Sequence, residues 1–576
     1  MFHTHDPIDT KTRDALKEFD DLTAALLARR GFHTAEEAHA FLNPSYEEQI
    51  NDPLLIKNMP KAAERVASAI DSKERIGVWS DYDCDGIPGG VLFHDFLKKA
   101  GANFTNYIPH RHNEGFGLNI GGIDTLKADG VSLIITIDCG IADVEQVAYA
   151  QSIGIDVIVT DHHLPGELPP AFAVVDPKQE GETCAFQEYC GAGLAWKLAC
   201  AILAVGFKDR DTIPVGWEKW LLDMAGLATI ADMVPLIGEN RVIARYGLLV
   251  MRKSPRLGLQ KLCSVARVNQ RTITEDDVGF MIAPRINAAS RMGTPMDAFK
   301  LLTTTDETEA DLLSKELEKI NRSRKASGAA VTRKAHEKLE TLKLEGDLPE
   351  VIVLGDPDWR PGLLGLVANS LAEEYQRPVF LWGREGTGTP KGSCRAGRKE
   401  VSVVELMNAA SDAFIEGGGH AASGGFSLAD DQVFDLEEKL NKAFASLPKK
   451  DMQLAEQFAD AEFVAGDSAS RLLVAVEKLA PFGMANPKPA FLVRNVSLQE
   501  VSWFGKSGEH LRIKFSPEGN TFRSDVQEAI SFFARRELGD ATLKLEEGNV
   551  ATLLVHIERD QFMRRPSVRM RVVGIG

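Results

Sequence analysis

Three short segments gather aspartates in a way that calls for a divalent cation. DYDCDG spans 81–86, DCG spans 138–140 and DHH spans 161–163. Each follows a short apolar run: RIGVWS, IITI and VIVT. A single aspartate after a strand is ordinarily a turn or helix-cap residue. Three such segments meeting in one crevice are harder to explain that way, because five or more carboxylates repel one another without a cation. A mixed Asp and His set suits Mn²⁺ or Mg²⁺ better than calcium, and a set without cysteine weakens the case for zinc. The number of candidates suggests two ions, which in such sites lie ~3.5–4 Å apart and clamp both the attacking water and the leaving oxygen of a phosphoryl displacement. Asp138 has no close acidic neighbour and suits a bridging position. The candidate ligands are the carboxylates and imidazoles of these segments: Asp81, Asp83, Asp85, Asp138, Asp161, His162 and His163. Asp232, in LATIADMVPL, is a further one that reads equally well as a helix cap. The expected chemistry is phosphodiester hydrolysis.

The elements that must hold these residues follow from the hydrophobic pattern. Short β-branched runs, including FAVV at 172–175, alternate with helical stretches from about 75 to about 240. That alternation predicts a parallel sheet covered on both faces. In open parallel sheets, ligands bind beyond the carboxyl ends of the strands. Residues 1–50 read as helical. A charge-laced helical pattern at 305–345 is long enough to connect two domains. A second α/β unit opens with VIVLG at 351–355, and from about 455 short strands such as LRIKF and ATLLVHIE predict a small β-barrel. The expected fold class is therefore α/β. Its parts are an N-terminal helical segment (1–50), a parallel-sheet catalytic domain (51–304), a connecting helix (305–345), a second α/β domain (346–450) and an OB-like barrel (451–576).

Composition narrows the class further. A chain of 576 residues suggests about three or four domains. The formal net charge of −17 argues against a chain coated in Lys and Arg, while leaving room for a local basic groove. Seven cysteines with no CxxC pair argue against a zinc ribbon or disulfide framework and for reduced thiols. No apolar run approaches the ~20 residues of a membrane span. The start, MFHTHDPIDTKTRD, lacks an apolar core after a basic segment, so a cytoplasmic location without membrane attachment is expected.

DYDCDG, DCG, DHH and GGGHAASGGF at 417–426 together resemble the DHH phosphoesterases. The resemblance is closest to their branch of bacterial exonucleases specific for single-stranded DNA. It covers the chain from about 50 onward, with support from IPHRHNEGFGL (108–118), LATIADMVPL (227–236), APRINAASRM (283–292), KGSCRAG (391–397) and PFGMANPKPAF (481–491). It implies that Asp83, Asp85, Asp138, His162 and Asp232 hold two Mn²⁺ or Mg²⁺ ions, with Asp138 as the bridge. Asp81 and Asp161 would orient ligands and backbone. His163 and Arg285 would meet the scissile phosphate, where cationic donors stabilise developing charge.

The resemblance also implies a means of reading the strand end. Arg111, Ser393 and Arg395 would take the 5′ phosphate, in keeping with the forked donors of Arg. Phe116 would stack on a base, and its alternative is a packed core aromatic. His420, in the glycine-rich segment, would contact nucleic acid, and its alternative is a structural turn. Lys391, Arg398 and Lys399 add local positive charge, or form a solvated face. Implied partners are single-stranded DNA, a single-strand-binding protein and a DNA helicase, with the chain itself a monomer. The resulting expectation is a 5′→3′ exonuclease that releases 5′ mononucleotides in DNA repair and recombination. Two alternatives compete with it: a smaller-substrate phosphodiesterase acting on short oligoribonucleotides or nucleotides, and a non-catalytic DNA-binding scaffold. The chain departs from the family pattern at Arg360, where histidine is usual, at Ile87–Gly90, where small hydroxyl residues are usual, and at Ser290, where glycine is common.

Overall fold

The structure, a computed structural model, describes residues 2–576 except 112, 385, 387, 399–400, 449–456, 466–467, 506–507, 519–525 and 561–566. Lys399 and the expected boundary at 450/451 lie outside the described residues. The chain divides into two compact units, one of residues 1–320, 458–532 and 543–576, the other of 321–457 and 533–542.

The first unit is built on five parallel strands: β1 (Arg75–Ser80), β2 (Asn103–Tyr107), β3 (Leu133–Ile137), β4 (Asp156–Thr160) and β5 (Ala173–Val175). Their order is β2-β1-β3-β4-β5. The strands read as nearly continuous apolar runs because both faces are buried. Val78, Ile135, Ile137 and Ile158 enter one core, while Trp79, Ile134, Val157 and Val159 enter another. β2, sequence NFTNY, is the strand the apolar pattern does not announce. It lies at the sheet edge and is only partly buried.

Helices α1 (Gly86–Lys99), α2 (Gly191–Val205) and α3 (Leu222–Ala231) pack on the larger core. α2 is apolar nearly all round and is accordingly buried along almost its whole length. Ile87 is fully buried, and a Cβ on Gly89 or Gly90 would press within 2.7 Å of Ile137 or Ser80. The departure from hydroxyl residues at 87–90 is thus a packing solution. α4 (Ala283–Met292) carries Ser290, whose hydroxyl donates to the Asn287 carbonyl at 3.1 Å.

The 39-residue α5 (Glu307–Glu345) contains the division between the units, at Ile320/Asn321. In the second unit, β6 (Ile352–Gly355), β7 (Val379–Gly383), β8 (Lys391–Arg395), β9 (Glu416–His420) and β10 (Ser423–Ser427) form a mixed sheet in the order β9-β10-β8-β7-β6. Exposed Arg360 immediately precedes α6 (Pro361–Tyr375), where Pro361 fits the first helical turn. The first unit also holds a closed five-stranded barrel of β11 (Ala490–Phe504), β12 (His510–Pro517), β13 (Gln527–Ser531), β14 (Val550–Asp560) and β15 (Ser567–Ile575). The strands run β11-β12-β13-β15-β14 and β14 closes back on β11. Alternate residues Leu511, Ile513 and Phe515 fill its interior. Among the described residues no helix is long and apolar enough to cross a membrane.

Candidate metal centre

Sheet register builds the centre. Ser80 is opposite Ile137, Ile137 opposite Thr160, and Thr160 opposite Val175. The next residue on each strand is an aspartate, so Asp81, Asp138, Asp161 and Asp176 form one row along the carboxyl edge. The backbone ladder continues through that row. The Asp81 N–H donates to Ile137 at 3.1 Å, Asp138 to Thr160 at 3.0 Å and Asp161 to Val175 at 3.2 Å. β1 and β3 flank the point where strand order reverses, the place such sheets bind ligands. Asp138 has φ +63°, a left-handed backbone uncommon for a residue with a side chain. Backbone strain of this kind concentrates at functional sites.

Loops and helix ends bring the remaining groups. Asp83 accepts the amides of Asp85 (2.7 Å) and Gly86 (3.2 Å). Asp85 accepts the Gly191 and Ala192 amides at 2.6 and 2.8 Å, so the positive end of α2 faces its carboxylate. His162 Nε2 lies 3.2 Å from Asp138, 3.6 Å from Asp85 and 3.8 Å from Asp232. Three overlapping groups have potential ligand atoms within 4.8 Å of one another: Asp81/Asp83/Asp138, Asp138/His162/His163 and Asp85/His162/Asp232. Asp138 and His162 each belong to two of them. Oδ1 of Asp138, Oδ1 of Asp81 and Nδ1 of His162 are buried without a hydrogen-bond partner among the described residues. Buried polar atoms are rarely left so. An oxygen-rich set with one or two imidazoles and orphaned carboxylate oxygens fits Mn²⁺ or Mg²⁺.

The electrostatics agree. Burial, then Asp83, holds Asp81 well above the usual carboxylate range; burial, then Asp85 and Asp83, does the same to Asp138. Burial and Asp85 raise Asp83, and burial with Asp85 and Asp83 lifts Asp232 to about 8. These carboxylates cannot all ionise unless a cation joins them. Burial depresses His162, keeping its imidazole neutral as a ligand requires. His163 is the opposite case. Its Nδ1 lies 2.7 Å from Asp161, and that hydrogen bond, against burial, lifts it to about 9. Burial works against Asp161, yet the His163 hydrogen bond and charge hold it below the usual range. Asp161 also accepts the amides of Ile141, His162 and His163.

The other expected residues each have their own surroundings. The Arg111 guanidinium stands 5.1 Å from the Tyr82 ring centroid, and its charge acts on Asp81 and Asp83. Phe116 is no core aromatic. It is half-exposed and meets His163 edge-on at 5.9 Å between ring centroids. Arg285 is buried and bonded to Glu318 at 2.7 Å and to the Met281 carbonyl at 2.5 Å. Ser393 and Arg395 belong to the second unit, two residues apart on β8. A Cβ added to Gly365 of α6 would lie 3.1 Å from the Arg395 guanidinium and 3.6 Å from the Ser393 hydroxyl. His420 ends β9 and is exposed.

Sequence reasoning overlooked four contributors. Asp176 follows only a three-residue strand, and the DPK that comes next looks like a turn. Asn287 accepts the Cys84 amide at 2.8 Å and so pins the DYDCDG loop to α4. Gly191 and Ala192 act through backbone amides, which leave no mark in a sequence.

Residues 75–229 match the DHH family, N-terminal domain, residues 348–447 the DHHA1 domain and residues 459–574 the RecJ OB domain. The chain is 36% identical over 517 residues to the single-stranded-DNA-specific exonuclease RecJ of Bacillus subtilis, a stretch covering 88% of this chain but 64% of that relative. It is 30% identical to RecJ of Haemophilus influenzae over 81% of this chain and 83% of the relative. Among solved structures, RecJ from Thermus thermophilus in complex with Mn²⁺ superposes with a TM-score of 0.80 at 26% identity, covering 100% of this chain and 79% of that one. The class that sheet, cluster and matched domains define is the DHH phosphoesterases. Within it, the chain belongs to the RecJ family.

Proposed function

We propose that this chain is a metal-dependent exonuclease that degrades single-stranded DNA 5′→3′ to 5′ mononucleotides in DNA repair and recombination. The observation that carries the reading is the in-register aspartate row, joined by Asp85, His162 and Asp232 into overlapping groups with buried, unpartnered ligand atoms. Asp83, Asp85, Asp138, His162 and Asp232 would hold two Mn²⁺ or Mg²⁺ ions. When bound, such ions polarise phosphoryl oxygens and offset charge that develops during displacement. The relatives' names and the Mn²⁺ in the Thermus structure support the same reading.

The chain's own groups supply orientation and charge. The α2 amides fix the Asp85 carboxylate. Asp161 occupies Nδ1 of His163 and keeps the ring protonated, so Nε2–H is available to a phosphoryl oxygen. Arg285 would meet the scissile phosphate by exchanging Glu318 for it. Phe116 offers a ring face to a base. Arg111 lends positive charge beside Asp81 and Asp83 in the first unit; in the second, Ser393 and Arg395 would receive a terminal phosphate and His420 would contact nucleic acid. The chain would act as a cytoplasmic monomer alongside a single-strand-binding protein and a DNA helicase.

Digestion of 5′-phosphorylated single strands, duplex DNA and RNA in parallel with Mn²⁺ and with Mg²⁺ tests this. The single strand should be consumed with its 5′ label released first; prior loss of a 3′ label rejects the polarity. Asp138→Ala should lower turnover by about a thousandfold or more, the several kcal/mol that metal stabilisation supplies. Parental activity in that variant would remove Asp138 from the proposed ligand set.

A further inference from the structure

Two apolar side chains that directly follow residues of the metal cluster are largely exposed. Leu164 follows His163 and is 70% exposed; Met233 follows Asp232 and is 66% exposed. Each adjoins a residue of the cluster in sequence, and those residues are close: His162 lies 3.8 Å from Asp232, and its ring centroid lies 4.6 Å from that of His163. Exposed apolar residues scattered singly need no explanation, but a cluster of them beside a charged site does.

Met233 carries a second anomaly. Its φ is +61°. It stands just past the C-terminal end of α3, where a left-handed residue is common but is usually glycine, since a Cβ there crowds the chain's own carbonyl. The turn is fixed on both sides. The Asp232 amide donates to Ala228 at 2.8 Å, and the Leu236 amide donates to Met484 at 2.8 Å. The chain therefore holds a long apolar side chain in a strained backbone and leaves it in water, beside a metal-ligand candidate. A plain helix terminator would need neither the side chain nor its exposure.

The occupant follows from continuity with the cluster. A nucleobase in a single strand has apolar faces open to contact, whereas in a duplex its neighbours cover both. We propose that Leu164 and Met233 form a base-binding lip that receives the unstacked base beside the scissile phosphate. This lip makes a paired end a poor substrate at the cluster itself, independently of the barrel. The inference rests on the exonuclease reading and adds to it a determinant of single-strand preference.

The test uses the full-length chain with Mn²⁺ and two short 5′-phosphorylated single strands, one normal and one abasic at its first positions. The parental chain should show a KM about tenfold higher for the abasic strand, the scale of one lost base contact. Met233→Gly and Leu164→Ser should each raise KM for the normal strand by about tenfold, with kcat changed far less, and should shrink the abasic penalty. Met233→Gly should melt at or above the parental temperature, because glycine relieves the backbone, so a loss of binding would not reflect misfolding. Parental KM and an undiminished abasic penalty in both variants would overturn the lip, as would an equal loss on both strands. A parental chain that degrades neither strand would overturn the exonuclease reading first, and the lip with it.

Discussion

Asp176 ends the aspartate row, fully buried, with one oxygen accepting the Lys178 amide at 2.7 Å and the other unpartnered among the described residues. Burial raises its carboxyl to about 7; the Lys178 amide opposes the shift and Asp161 adds to it. A folded-state value above the unfolded one means that folding favours the protonated form. The resulting stabilisation is fully present below the ordinary carboxylate range and is lost as pH rises through about 7. Asn mimics the protonated acid at every pH. Asp176→Asn should therefore gain stability on the parental chain steadily up to about pH 7 and level off above it. Melting temperatures of the two proteins across that range, at one fixed metal concentration, check this. A difference that does not vary with pH would contradict it.

Helix α2 connects two parts of the centre. Its first amides hold Asp85, and it approaches β3 so closely that a Cβ on Gly191 would lie 2.4 Å from the Asp138 Cβ. Gly191→Ala should push the helix end away, at an overpacking cost of about 1–3 kcal/mol. It should also reduce the rise in melting temperature that added Mn²⁺ produces. Calorimetry with and without the ion measures both, and a parental response would refute the close fit. This element also marks how far the sequence could be read. DYDCDG and DHH were legible because a metal cluster needs particular side chains at fixed spacing. The tight residue at 191 was not, because closeness between distant segments has no local pattern. β2 was missed for a related reason: an edge strand half in water lacks the alternation that announces a buried one. Arg285 stood out by motif, while its partner Glu318, 33 residues on in α5, did not.

Across the first unit, residues 479–488 link the barrel to the part that carries the aspartate row. Leu479 joins the core of Leu16, Leu26, Leu27 and Phe41. The buried Arg241 guanidinium donates to Phe41 at 2.8 Å, Ala480 at 3.1 Å and Pro481 at 3.4 Å. Lys488 pairs with Asp276 at 2.9 Å. Removing 458–576 takes away more than a barrel: it strips Arg241 of two carbonyl partners and opens the Leu479 core. The truncated chain should lose roughly 3–5 kcal/mol, the scale for abandoning a buried charge. Unfolding of the two proteins in urea would measure this, and equal midpoints would mean that the barrel is an independent appendage. The parallel sheet, the second α/β sheet and the barrel were readable because helix and strand periodicities change along the chain. This stitching was not, because it depends on backbone carbonyls far from Arg241 in sequence.

The aspartate row has a mechanical consequence. Neighbouring strands in a sheet keep a spacing of about 4.8 Å, set by their hydrogen bonds. Asp81, Asp138 and Asp161 inherit that interval through the ladder that runs past the strand ends. The sheet is the fixed jaw of a vice. Asp83 and Asp85 on their loop, and Asp232 at the end of α3, form the other, in which the Gly191 and Ala192 amides hold Asp85. An ion of larger radius, such as Ca²⁺ with oxygen distances of about 2.3–2.6 Å against about 2.0–2.1 Å for Mg²⁺, would fit only if these carboxylates shifted away from the sheet. On that expectation, the placement of these loop and helix-end carboxylates, rather than any change in the sheet, would set which ions the centre accepts.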